Sequence, residues 1–410
     1  MAKLFIEDLD LAGKRVLIRV DFNVPVKNGV VESDKRIRAA LPTIRYALAQ
    51  GASVVLMSHL GRPNGQKVEK YSLAPVAARL TELLGSPVEF LSDCVGAEVE
   101  AACASLPAGK VVLLENVRFH IEEEGKAKDA DGNSVKADPA KVAAFRASLS
   151  KLGDVFVNDA FGTAHRAHSS MVGVELPRAA GYLLKKELDF LGEAVNNPVR
   201  PLVAIIGGSK ISGKIDVIQA LLPKVDKLII GGGMAFTFLK AQGYEIGKSL
   251  CENDKVDLAR ELMAQAGDKL VLPTDTMVTR ALNFDARTLD GLVQVESTAI
   301  PADQEGVDIG AASRATYAAI IKSAKTVLWN GPMGVFEIDA SAEGTFAVAH
   351  ALVEATATGA ITIVGGGDSV AAVEKAGLED QVSHVSTGGG ASLEFLEGKA
   401  LPGVDALSDK

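Results

Sequence analysis

Short apolar, β-branched runs recur along the chain, separated by stretches rich in Ala, Leu, Lys and Glu. In the first half these runs are Arg15–Val20, Ser53–Ser58, Val111–Leu114 and Val155–Val157. In the second half they are Val203–Ile206, Leu228–Ile230, Leu270–Leu272, Val327–Trp329 and Ile361–Val364. Nearly continuous apolar strands alternating with helices predict parallel sheets buried on both faces. The fold class is therefore α/β with two domains, each a mostly parallel β-sheet covered by helices on both faces, a Rossmann-like three-layer sandwich. Between the two sets of strands, Tyr182–Val195 has helical spacing of Leu and Phe, and Asn196-Asn197-Pro198 follows as a stop signal. Residues 182–198 thus read as an interdomain helix and hinge, between an N-terminal domain over 1–181 and a C-terminal domain over 199–395. The segment Glu122–Pro139 is charged, rich in turn-formers and without periodicity, so it is expected to be a solvated excursion carrying no site.

Length agrees with two domains, because 410 residues exceed what one core usually holds, roughly 250–300. Charge narrows the partners. With 52 acidic residues against 43 Lys and Arg, the net charge is -9, which lacks the attraction that nucleic acid or an anionic membrane requires. Cys94, Cys103 and Cys251 form neither a C-x-x-C motif nor an even disulfide framework, as in a reducing compartment. The first ten residues lack a leader composition, and no run approaches the ~20 apolar residues of a membrane span. A cytoplasmic location is expected.

In open parallel sheets, ligands bind beyond the carboxyl ends of the strands. The two halves differ there. First-half strands lead into Asp21-Phe22-Asn23, His59-Leu60-Gly61-Arg62, Asn116-Val117-Arg118, and Asn158-Asp159 followed by His165-Arg166-Ala167-His168. Arginines and histidines repeated at four strand ends of an acidic protein point to a small, highly charged anion, and Arg36 lies close enough in the chain to join them. Any one of these arginines alone reads equally well as a solvated loop residue. Zinc finds little support, since His165 and His168 flank Arg166 and the sequence has no H-E-x-x-H or compact Cys/His set.

Second-half strands lead into glycine loops: Gly207–Lys210, Gly231–Gly233, Asn330–Pro332, Gly365–Ser369 and Thr387–Gly390. Glycine lets backbone N–H groups approach phosphate, and a following helix start adds its positive dipole end. Five such loops point to a nucleotide. A dinucleotide is disfavoured, because the third glycine of G-x-G-x-x-G is replaced by Phe236, Val370 and Leu393 at the successive triplets. Gly208–Lys214 satisfies G-x-x-x-x-G-K, but Ile215 stands where a P-loop needs a Ser or Thr for magnesium. Asp368, in a glycine loop at a helix start, is the better magnesium candidate, and helix N-cap is its ordinary alternative role.

Eight segments together resemble the phosphoglycerate kinase family, in family order: RVDFNVP (Arg19–Pro25), SHLGRP (Ser58–Pro63), NVRF (Asn116–Phe119), NDAFGTAHRAHSS (Asn158–Ser170), GGSK (Gly207–Lys210), NGPMGVFE (Asn330–Glu337), GGGDS (Gly365–Ser369) and STGGGASLE (Ser386–Glu394). The resemblance implies reversible transfer of the acyl phosphate of 1,3-bisphosphoglycerate to Mg-ADP, giving 3-phosphoglycerate and ATP by direct in-line transfer after domain closure. It implies that the N-terminal domain holds the glycerate substrate through Asp21, Phe22, Asn23, Arg36, His59, Leu60, Gly61, Arg62, Arg118 and Arg166. For the nucleotide it implies Gly208, Ser209, Lys210, Lys214, Gly232, Gly310, Asn330, Pro332, Glu337, Gly366, Gly367, Asp368 and Ser369, with Asp368 on Mg2+ and Glu337 on the ribose. Arg36, Lys210 and Lys214 are the implied catalytic cations. It also implies a monomer with small-molecule partners only, and a tail over 396–410 that packs back on the N-terminal domain. Departures are small: GGSK where many members have GGAK, and Ser369 where Thr is common. The excursion resembles the longer loop of eukaryote-type members.

The reaction brings its own nucleophile, a carboxylate or a phosphate oxygen, so no protein nucleophile or general base is required. Two other readings stay open at this point. One is a P-loop-like ATPase or GTPase using Lys214, against which Ile215 counts. The other is an inactive nucleotide-binding scaffold, which the presence of Arg36, Lys210 and Asp368 does not favour.

Overall fold

In the computed structural model, which describes residues 3–410, strand Arg15–Val20 pairs in parallel with Ser53–Met57 on one side and Val155–Asp159 on the other. Arg178–Ala180 extends the sheet at one edge, and Val111–Leu114 then Val88–Leu91 complete the other, giving six strands. Consecutive strand residues point to opposite faces. Val16, Ile18 and Val20 meet Ile37 and Ile44 of helix Lys35–Ala49 and Val76 and Leu80 of helix Ala74–Leu84. Leu17, Val55 and Met57 meet Val99 and Cys103 of helix Ala97–Ala104 and Phe145 and Leu149 of helix Pro139–Ser150. Both faces are apolar, which is why these strands show no polar alternation.

The second six-stranded sheet repeats the plan in the order Leu270–Val271, Lys227–Ile230, Leu202–Ile206, Thr326–Asn330, Ile361–Gly365, His384–Val385, with parallel pairing throughout. Val203, Ile205, Val327 and Trp329 pack on Tyr317 and Ile321 of helix Ala311–Ser323 and on helix Glu343–Ala357. Both sheets are flanked by helices, as the α/β reading requires.

Several elements were not foreseen. Val88–Leu91, Arg178–Ala180 and His384–Val385 are short edge strands of two to four residues, too brief to stand out as apolar runs. A separate antiparallel sheet orders Val293–Glu296, Asp275–Thr279 and Glu305–Ile309, with strands that mix Asp, Glu, Gln and Thr with valines. The excursion over 122–139 needs correction. Its middle is a solvated hairpin, Lys126–Lys128 against Ser134–Lys136, but Glu122–Glu124 belongs to helix Ile121–Glu124 and Glu123 is fully buried.

The chain separates into two compact units, one running to Leu188 and taking back Ala400–Lys410, the other being Asp189–Lys399. The division falls inside helix Tyr182–Asn196 rather than at its ends. In the first unit the returning tail is tied by Gly403 N–H to the Ala164 carbonyl at 2.8 Å, by Asn158 Nδ2 to the Gly403 carbonyl at 3.0 Å, and by Ser408 N–H to the Arg178 carbonyl at 3.0 Å. No helix among the described residues is long and apolar enough to cross a membrane.

Candidate functional site

In the first unit the strand-end loops are laced together. Phe22 N–H donates to Ser58 Oγ at 2.9 Å, and Gly61 N–H to Asn23 Oδ1 at 2.8 Å. Arg118 donates to the Gly61 carbonyl at 2.9 Å. Gly61 has φ +62°, and a Cβ there would lie 2.3 Å from the Tyr71 ring, so this junction admits only glycine. Asn116 closes the group by donating to the Leu60 and Tyr71 carbonyls. Arg36, half-buried at the start of its helix, is aimed by donation to Asp21 Oδ2 at 2.8 Å. Arg62 and Arg166 are exposed.

Beneath this surface lies a cation that the motif reading did not single out. Arg19 is fully buried within its strand; its Nε donates to Ser170 Oγ at 2.8 Å, and it donates again at 3.2 Å to His59 Nδ1. A guanidinium has no acceptor, so Nδ1 of His59 must be the acceptor and Nε2 carries the proton. Ser170 in turn donates to Glu123 at 2.6 Å, and Ser170 N–H donates to the same carboxylate at 2.8 Å. Glu124 lies 3.5 Å from Arg118. His59 is held neutral, its pKa driven well below the ordinary value by burial and then by Arg19, Arg118 and Arg36. Burial, and then Arg118, Arg19 and Arg166, push His168 down to about 3. The expected residues do converge, and the buried carboxylates that balance them come from the segment expected to carry no site. An arginine set between the apolar residues Ile18 and Val20 of a strand buried on both faces was the available signal for Arg19.

In the second unit a cavity of about 380 Å³ is lined by the expected Gly208, Ser209, Gly232, Pro332, Glu337 and Asp368, together with Phe236, Leu250 and Phe284. Leu250 and Phe284 are more than half exposed, an unusual condition for large apolar side chains. The glycines have a first task other than phosphate. Gly207 N–H donates to the Asn330 carbonyl, Gly208 N–H to Pro332 and Gly232 N–H to Met333, at 2.9, 3.1 and 2.9 Å. A Cβ on Gly207 would sit 2.1 Å from the Pro332 oxygen. These loops are glycine because strand-end backbones cross one another, and the N–H groups named are already used.

The remaining expected residues gather behind this wall. Lys214 is half-buried and donates to Asn330 Oδ1, while Asn330 Nδ2 is buried with no hydrogen-bond partner. A Cβ on Gly366 would lie 3.1 Å from that amide. Ser369 Oγ accepts from Gly331 N–H at 2.5 Å. Burial lowers the pKa of Lys214, against the attraction of Asp368 and Glu397. Asp368 is exposed in the first turn of helix Gly367–Lys375, whose N-cap is Gly366, so the alternative reading of Asp368 as N-cap does not hold. Gly310 caps helix Ala311–Ser323, where Asp275 receives the N–H groups of Ala312 and Ser313 at 2.9 and 2.7 Å. Lys210 is exposed on its loop and does not line the cavity.

One unit thus gathers buried and half-buried cations at its strand ends, and the other offers a cavity walled by backbone and apolar side chains. Fold and sites define a two-unit α/β phosphotransferase. The family model described as phosphoglycerate kinase matches residues 6–399. "Phosphoglycerate kinase 1" of Rattus norvegicus is 56% identical over 414 residues, covering 99% of each chain. "Probable phosphoglycerate kinase" of Caenorhabditis elegans is 57% identical over 412 residues, covering 99% of this chain and 98% of that one. The solved phosphoglycerate kinase of Coxiella burnetii superposes with a TM-score of 0.85 at 43% identity, covering 98% of both chains. The chain belongs to the phosphoglycerate kinase family, whose reaction joins ATP and 3-phosphoglycerate to ADP and 1,3-bisphosphoglycerate.

Proposed function

We propose that the first unit binds the glycerate substrate and the second binds the nucleotide as its magnesium complex. The observation that carries this division is the contrast in donors: Arg36, His59 and Arg118 converge on the first unit's strand ends, whereas the second unit's cavity is apolar with few polar groups. Asp21 aims Arg36, Arg19 orients neutral His59 as a donor, and Arg62 and Arg166 add exposed charge for carboxylate and phosphate. Asn23, Phe22, Leu60 and Gly61 set the loop geometry.

In the second unit the cavity between Phe236, Leu250 and Phe284 suits a flat base, with Glu337 toward the ribose. The unpartnered Asn330 amide and Lys214, with Gly366, Gly367 and Ser369 at the helix start, suit phosphate oxygens. Asp368 fits magnesium, which takes few protein carboxylates and completes its shell with phosphate and water. When bound, that ion supplies charge neutralisation on the phosphate oxygens. Lys210, exposed on its loop, and Arg36 neutralise the transferring group, and no protein group is asked to attack or to take a proton.

ATP formation from 1,3-bisphosphoglycerate and Mg-ADP, with ADP alone as control, tests the reaction. Calorimetry of Asp368→Ala tests the division, because equal loss of 3-phosphoglycerate affinity would contradict it. Closure is part of the proposal, and X-ray scattering should give a smaller radius of gyration with both ligands than with either. The net charge of -9 supports a monomer that takes small molecules rather than nucleic acid or membrane, and the free Cys94, Cys103 and Cys251 fit a cytoplasmic location.

A further inference from the structure

We propose that Asp93, Cys94 and His120 form a binding site for a borderline-soft divalent cation of the zinc or cobalt type, separate from both substrate sites. His120 lies well beyond the adjacent Asp93 and Cys94 in the chain, which is why no Cys/His set shows in the sequence. They meet because strands Val88–Leu91 and Val111–Leu114 are parallel neighbours with Leu91 beside Leu114, so the loops that follow leave the same sheet edge. Glu115 N–H donates to the Asp93 carbonyl at 3.4 Å and joins the two loops.

One ligand atom from each residue lies within 4.8 Å of the others. His120 Nε2 is 2.7 Å from Asp93 Oδ1. Bonds of about 2.0–2.3 Å in a tetrahedral site place ligand atoms roughly 3.3–3.7 Å apart. The sulfur must therefore close in by about 1 Å at most, and the carboxylate and imidazole must part slightly. An ordinary Asp-His pair over a core thiol is the alternative, and three features favour a cation over it. Thiolate, carboxylate and neutral imidazole carry two negative charges against a divalent ion, and the N, O and S donors suit zinc or cobalt better than magnesium. Two supports hold the ligands in place: Cys94 N–H donates to Asp93 Oδ1 at 2.7 Å, and the His120 ring packs 5.3 Å from that of Phe145. The charges bearing on the Cys94 sulfur are the carboxylates of Asp93, Glu123 and Glu115, a potential that favours a cation. Cys94 and His120 supply a buried and a half-buried ligand, and the more exposed Asp93 leaves room for water at the fourth position.

Cysteine binds a metal ion as its thiolate, so uptake must remove the Cys94 thiol proton. Uptake replaces the S–H bond with a metal–sulfur bond, releases the proton to solvent, displaces metal-bound water and moves the imidazole proton from Nε2 to Nδ1. Affinity should therefore rise with pH.

The test is titration of the chelator-treated full chain with Co2+ in the absence of nucleotide. One equivalent should bind with a thiolate-to-cobalt charge-transfer band, which persists in a Cys103→Ser/Cys251→Ser variant and vanishes in Cys94→Ser. Calorimetry with Zn2+ should show at least a tenfold weaker affinity for His120→Gln and for Asp93→Asn, and these two variants decide the matter should Cys94→Ser fail to fold. Absence of the band, its survival in Cys94→Ser, or unchanged Zn2+ affinity in both other variants would overturn the site.

Discussion

The two units build their strand ends by different means. In the first, the work falls to side chains: Arg36 on Asp21, Arg118 on the Gly61 carbonyl, and Arg19 on His59 and Ser170, with Glu123 beneath. In the second, it falls to backbone: glycine loops pass within contact distance of one another, and one lysine and one amide stand behind them. A site made of charged side chains must bury counter-charges to hold them, so its cost appears as a polar network. A site made of backbone needs the absence of Cβ atoms, so its cost appears as left-handed φ values open to glycine and as intolerance of substitution.

The largest expected effect lies where the two designs share a task. If Lys210 acts on the transferring group as proposed, Lys210→Ala should lower kcat on the order of 10²–10³-fold and leave both KM values little changed, because that contact would form in the transition state. Lys214→Ala should mainly raise the nucleotide KM. Steady-state kinetics with both substrates varied would separate the two, and the opposite pattern would revive the P-loop reading.

Next in size is the buried network. Glu123→Ala leaves Ser170 and Arg19 without their anionic partner in a dry site, a loss of about 3 kcal/mol. For a unit of this size that is a fall of about 6–12 °C in Tm. Calorimetric melting would check it, and a change within a degree would mean that Arg19 is balanced in some other way.

Gly232→Ala probes the backbone design. Its φ is +70°, and a Cβ would lie 2.6 Å from the Gly208 oxygen. The left-handed conformation costs a non-glycine residue roughly 1–2 kcal/mol of stability, and the Cβ would push the Gly208 backbone that lines the cavity, so nucleotide affinity should fall about tenfold. Binding of 3-phosphoglycerate should be unchanged, and titrations with each ligand would show whether the effect stays in the second unit.

The smallest effect is one of pH. In the unfolded chain His168 has a pKa near 6.5, whereas in the fold it is lowered to about 3. Above about pH 6.5 both states are neutral. As pH falls through that value only the unfolded chain takes the proton, so stability is lost on going down, by at most about 1.4 kcal/mol per pH unit. Asp159 and Asp308, raised by burial to about 7, act in the opposite sense over the same range. The histidine contribution is therefore read as a difference: between pH 7.5 and 5 the urea midpoint of His168→Gln should fall less than that of the parent. Equal slopes would place the proton uptake elsewhere.

Much of this architecture is legible before folding. Double-faced burial makes a strand apolar at every position, so runs such as Val203–Ile206 and Val111–Leu114 announce central parallel strands, and the residues after them announce the sites. Edge strands such as His384–Val385 are too short and too mixed to do so. The residues gathered at strand ends also follow from local order, because each loop must leave its strand at the carboxyl edge. What only tertiary structure decides is which groups complete them. Glu123 reads as one more solvated acid in a charged run until a four-residue helix turns it beneath Arg19. Glycines in GGSK and in Gly231–Gly233 read as phosphate ligands until their N–H groups are seen to bond crossing backbone. Asp93, Cys94 and His120 acquire a common chemistry only when two parallel strands bring their loops to one edge. Sequence records residue type and local periodicity, which set element and edge; burial and pairing depend on distances across the sheet, and those exist only in the folded chain.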